Sequence, residues 1–73
     1  MGFSARISLS MFVDGASIAI AQVGPKTVRL RQPDANLVGK HARLVIQVGN
    51  GRKTQDIFLT GTSGDDPLEM VYL

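Results

Sequence analysis

Two dipeptides, Asp14-Gly15 and Asn50-Gly51, each stand between runs in which apolar and polar residues alternate. Asp-Gly and Asn-Gly suit the two-residue turn whose central positions both need φ > 0, and its twist matches that of the flanking strands. A chain so punctuated is constrained to antiparallel β-structure. Residues 6–13 place Ile7, Leu9, Met11 and Val13 on one face and Ser8, Ser10 and Phe12 on the other. A two-residue turn at Asp14-Gly15 predicts Met11 opposite Ile18, Leu9 opposite Ile20 and Ser10 opposite Ala19.

A three-residue loop at Gly24-Pro25-Lys26 sets Leu30 opposite Ile20 and Val28 opposite Gln22. A two-residue loop there would set Leu30 against Ala21, on the wrong face. Pro33 ends this strand, since it has no N–H for a ladder. Residues 33–40 are expected to connect the two hairpins, with a short helical turn at most, anchored by Leu37 and Val38, and with Gly39 as a turn residue.

His41–Val48 is the strongest strand pattern: Ala42, Leu44, Ile46 and Val48 on one face, His41, Arg43, Val45 and Gln47 on the other. A turn at Asn50-Gly51 pairs Leu44 with Ile57, Ala42 with Leu59, Arg43 with Phe58 and Val45 with Asp56. Residues 60–67 read as a Gly/Ser/Asp loop, and Leu68–Leu73 as a short terminal strand at a sheet edge. The expectation is a single all-β domain over residues 1–73. It is a small antiparallel meander of five to six strands, forming a curved sheet or a partly closed barrel.

Ser17–Thr60 resembles, in spacing, small bacterial barrels of the PilZ type: two strands about a Gly turn, a loop ending in Leu-x-Gly, then a long hairpin. That resemblance covers about two thirds of the chain. PilZ domains bind a cyclic dinucleotide through an Arg-x-x-x-Arg loop and an Asp-x-Ser-x-x-Gly strand. Here only Arg6 precedes the first strand, and the second position reads Ile20-Ala21-Gln22-Val23-Gly24. The ligand motif is absent, so the resemblance implies a fold and no ligand.

Composition narrows the function classes. With no cysteine there is no disulfide framework and no thiolate metal site. No apolar run approaches the roughly 20 residues of a membrane-spanning helix. Arg6 followed by Ile7–Val13 imitates a signal peptide, but Asp14 cuts the run short. The expectation is a cytoplasmic protein without membrane attachment. His41 is the one candidate base near neutral pH, and Lys40 and Arg43 flank it with no carboxylate beside it. Asp65, Asp66 and Glu69 cluster without the spacing of a calcium loop. Gly49-Asn50-Gly51 lies between strands, whereas a phosphate-binding glycine loop opens a helix. Gly39-Lys40 lacks the Walker spacing. No catalytic residue, metal or cofactor is therefore expected, and the chain reads as non-enzymatic.

Charge is unevenly spread. Residues 26–53 carry Lys26, Arg29, Arg31, Lys40, Arg43, Arg52 and Lys53 against Asp34 alone, while residues 54–73 are acidic. Arg29, Arg31, Lys40 and Arg43 could form a basic nucleic-acid surface. Alternatively, the acidic segment neutralises them within the fold. Charged residues make up 19% of the chain, below the average of about 25%. Phe12, Val45, Phe58, Val71 and Leu73 fall on faces opposite the main apolar stripe. Apolar groups outside a core mark interfaces. The sequence therefore favours an interaction module that self-associates or binds a protein partner, with nucleic-acid binding as the alternative.

Overall fold

The structure is a computed structural model that describes residues 7–73. The start of the first predicted strand, Arg6, lies outside the described residues. Seven strands form one antiparallel sheet: β1 (Ile7–Val13), β2 (Ala16–Ile18), β3 (Ile20–Val23), β4 (Thr27–Leu30), β5 (His41–Val48), β6 (Gly51–Ser63) and β7 (Asp66–Tyr72). Their order is β2-β1-β5-β6-β7-β4-β3, and the sheet does not close. The all-β antiparallel reading holds, with seven strands rather than five or six. The segment β5-β6-β7 is a meander flanked by the hairpins β1-β2 and β3-β4. β6 serves both halves: Gly51–Phe58 pairs with β5, and Leu59–Ser63 pairs with β7. No helix among the described residues is long and apolar enough to cross a membrane.

The first hairpin turns at Asp14 (φ 52°) and Gly15 (φ 80°), both left-handed as a type I′ turn requires. Met11 faces Ile18 as expected, but the β1-β2 ladder spans only Met11–Val13. Leu9 and Ser10 have no ladder partner on that side; the other edge of β1 pairs with β5, Leu9 facing Ile46 and Ser10 facing Val45. After Ala19 the chain leaves β1 and pairs, as β3, with β4. There Ile20 faces Leu30 as predicted, but Val28 faces Val23 rather than Gln22. The Gly24 N–H donates to the Thr27 carbonyl at 2.7 Å, so Pro25-Lys26 is a two-residue loop. A β-bulge at Ala21 absorbs the odd residue and returns Ile20 and Leu30 to one face.

The second hairpin also differs from expectation. Val48 faces Gly51, so the turn is Gly49-Asn50, one residue earlier than Asn50-Gly51. Gly49 has φ 57°, while Asn50 and Gly51 are not left-handed. That is the type II′ pattern, which wants Gly first. Every partner shifts by two: Ala42 faces Ile57, Arg43 faces Asp56, Val45 faces Thr54 and Leu44 faces Gln55. An even shift leaves each side chain on its predicted face. The expected loop over residues 60–67 is mostly strand. β6 runs to Ser63, Gly64 (φ 56°) and Asp65 make a second Gly-first turn, and β7 begins at Asp66. The segment Leu68–Leu73 is not an edge, because β7 lies between β6 and β4.

One face of all seven strands meets in the core. Met11, Val28, Leu30, Leu44, Leu59 and Met70 are fully buried, and among the described residues no polar or charged one is buried with them. The connection before β5 holds a 3₁₀ turn, Ala35–Leu37, capped by Asp34 Oδ1 accepting from the Asn36 N–H at 3.0 Å. Leu37 anchors it in the core, whereas Val38 is exposed. Gly39 (φ 83°) then donates to the Leu59 carbonyl at 2.7 Å. Tyr72 is buried, with its hydroxyl donating to the Gly24 carbonyl at 2.6 Å, so β7 is tied to the β3-β4 turn.

Gly49→Val is expected to destabilise the fold by about 1–3 kcal/mol, since a β-branched residue is strained at φ > 0. Gly51→Val should cost less, because a Cβ there meets only the Val48 carbonyl oxygen at 3.5 Å, an ordinary contact. Urea midpoints of the two variants check the turn; the reverse ranking would place it at Asn50-Gly51. Tyr72→Phe, which strips the hydroxyl from its carbonyl acceptor, should cost about 1 kcal/mol by the same measurement.

Candidate functional site

Alternate residues of β1, β5 and β6 point away from the core and build an outer face. Ladder pairing sets Phe12 beside Arg43 and Arg43 beside Asp56; one row along, Ser10, Val45 and Thr54 are neighbours, and then Gln47 and Arg52. These rows enclose a shallow concavity of about 670 Å³, lined chiefly by Phe12, His41, Arg43, Val45, Arg52 and Thr54. At its end His41 packs on Phe58, ring centroids 5.0 Å apart at 60°. Leu73 continues the row, its N–H donating to the Phe58 carbonyl at 2.9 Å.

Of the predicted interface residues, Phe12 and Val45 share this concavity. Phe58 and Leu73 adjoin one another at its border. Val71 lies farther along β7, paired with Gly61 and Thr27. Phe12 is 40% exposed and Leu73 80%, while Val45, Phe58 and Val71 are half-buried. A second apolar patch lies at the tip of the sheet, on the core-side face: Ile7, 64% exposed, sits opposite Val48, 45% exposed. Arg52 and Thr54 were not singled out from the sequence. Alternation alone put them on the same face as Val45, but the turn register was needed to set them beside it.

The four predicted basic residues do not converge. Arg29 stands on β4 and Arg43 on β5, and β6 and β7 separate those strands. Arg29 Nη1 donates to Asp66 Oδ2 at 2.8 Å, with Glu69 at 4.0 Å. Lys40 Nζ meets Asp14 Oδ2 at 2.6 Å, and Arg43 Nε meets Asp56 Oδ1 at 3.1 Å. Arg31 has no ion-pair partner among the described residues. The hydrogen bond that Lys40 donates to Asp14 raises the lysine's pKa. Asp66 accepts from both Arg29 and the Leu68 N–H, and these bonds, the arginine's first, hold its carboxyl below the ordinary aspartate range. Asp65, Asp66 and Glu69 do not gather: among the described residues, no group of three or more His, Asp or Glu could hold a metal ion.

No protein-family model, curated protein or solved structure matches the chain.

Because the Asp66 carboxyl titrates lower when folded than when unfolded, its stabilisation is present above the unfolded value. It is lost as pH falls through the lower folded value. Thermal midpoints should therefore fall as pH drops below about 4, and fall less steeply in Asp66→Asn. Parallel slopes for the two proteins would show that this ion pair does not set acid sensitivity.

Proposed function

We propose that the protein is a non-enzymatic interaction module that associates with a second copy of itself through the outer face of β1, β5 and β6. One observation carries this reading: Phe12 and Val45 share a concavity outside the core, and Phe58 and Leu73 adjoin one another at its border. They add nothing to that core, and their apolar area is worth about 25 cal/mol for each Å² a partner removes from water. A two-fold dimer satisfies such a surface with its own copy.

The solution mass should rise toward twice the monomer between micromolar and near-millimolar protein. Phe12→Lys should raise the dimer dissociation constant about tenfold or more, with the fold intact by circular dichroism. A mass that stays monomeric over that range would overturn the self-association reading.

A second reading, single-stranded nucleic acid on the same face, draws support from the company Phe12 keeps: His41, Arg43 and Arg52 line its concavity. Stacking aromatics beside cations are what such binding uses. This reading expects retention of a labelled oligonucleotide at low ionic strength that falls steeply with added salt and weakens in Arg52→Gln. Absence of retention at low salt would exclude it.

A further inference from the structure

We infer that the end of the β5-β6 hairpin, with the start of β1 beside it, is a docking site for the surface of an anionic phospholipid bilayer. The core-facing ladder pairs of β1 and β5 run Met11–Leu44, Leu9–Ile46 and Ile7–Val48. Met11 and Leu44 are fully buried, Leu9 and Ile46 are half-buried, and Ile7 and Val48 are exposed. The apolar stripe thus continues two rows past the last buried pair. On the far side of β6, β7 ladders only from Leu59 onward, so among the described residues Gly51–Ile57 has no strand there. The hairpin end therefore stands with β1 as its one neighbour in the sheet.

Charge selects the occupant. Arg52 and Lys53 follow the turn directly, and neither has an ion-pair partner among the described residues. No acid lies in the sequence between Asp34 and Asp56, and the Asp56 carboxylate is taken by Arg43. Ladder pairing sets Lys53 beside Ile46 on the core-side face and Arg52 beside Gln47 on the outer face. An apolar end with a cation on each of its two faces matches a lipid interface, where acyl chains take the apolar side chains and headgroup phosphates surround them. A groove on a protein engages one face. A two-fold contact between copies brings each cation against its own counterpart, with no acid between them. The site goes beyond the outer-face contact, because its apolar side chains lie on the opposite face of the same strands. The expectation of a protein without membrane attachment rests on spanning and leader segments, and an interfacial tip requires neither.

The test floats the full chain with vesicles of phosphatidylcholine, with or without phosphatidylglycerol at about one lipid in three. Binding is expected to the anionic vesicles alone, and to fall as salt is added. Arg52→Gln together with Lys53→Gln should weaken it about tenfold or more. Ile7→Thr together with Val48→Thr, which keep a β-branched residue in each strand, should also weaken it about tenfold, with circular dichroism unchanged. A measurement on the wild type needs no variant to fold: in small bicelles of the same anionic mixture, a spin label on the acyl chains should broaden the NMR signals of Ile7, Ile46 and Val48 before those of Phe12 and Phe58. Four results would overturn the inference: no flotation with anionic vesicles, equal binding to neutral ones, broadening centred on Phe12 and Phe58, or a wild-type dimer whose protected amides are those of residues 46–53, which would give the tip to a second copy.

Discussion

The architecture depends on a single residue's worth of chain. Ala19 alone separates β2 from β3, yet these strands are the two outermost members of a seven-stranded sheet. Strands at the two ends of a flat sheet of that width would lie far apart, because neighbours are about 4.8 Å from one another. The covalent chain forbids that distance, so the sheet must curl. The curl brings the apolar face of every strand onto one centre, and Met11 and Leu44 share a core with Val28 and Leu30 from the far side. It also explains why β1 and β3 lie side by side without a ladder, since a chain that crosses from one edge to the other within one residue cannot ladder fully with both.

Legibility in the sequence followed the range of the interaction. Which face a side chain takes was readable in the segments recognised as strands, because alternation is local and survives an error in register. Reading the second turn at Asn50-Gly51 rather than Gly49-Asn50 misplaced every cross-strand partner yet moved no residue from core to surface. Gly49-Asn50-Gly51 offers either Asn-Gly or Gly-Asn as the turn, and the cross-strand gains decide: the observed register joins Arg43 to Asp56 and His41 to Phe58. The Gly64-Asp65 turn was hidden inside a polar stretch whose composition suits a loop equally well. Pairing of β1 with β5 and of β4 with β7 joins segments distant in sequence, and no local signal announces it. Without it, the last strand reads as an edge. The candidate interface was legible as a face, since alternation placed Phe12, Val45 and Phe58 opposite the core. The concavity itself, with Arg52 and Thr54, needed the register.

The basic segment illustrates how a charge map misleads when taken linearly. Residues 26–53 carry most of the cations, but folding sets Arg29 against Asp66, Lys40 against Asp14 and Arg43 against Asp56. Such exposed pairs are each worth only about 0.2–1 kcal/mol. Their larger effect is to cancel a field that would otherwise attract polyanions. What remains is scattered: Lys26 in the β3-β4 turn, Arg31 just after β4, and Arg52 and Lys53 on opposite faces of β6.

The Tyr72 hydroxyl, bonded to the Gly24 carbonyl, links the last strand to a turn formed early in the chain. β7 is also the strand through which the β3-β4 hairpin joins the rest of the sheet. During synthesis, β3 and β4 emerge well before β7 and have no neighbour to pair with on the β4 side. The nascent chain must therefore hold an unfinished sheet until β7 has been made. Loss of β7 would withdraw the piece that joins the β3-β4 hairpin to β6 rather than trim an edge.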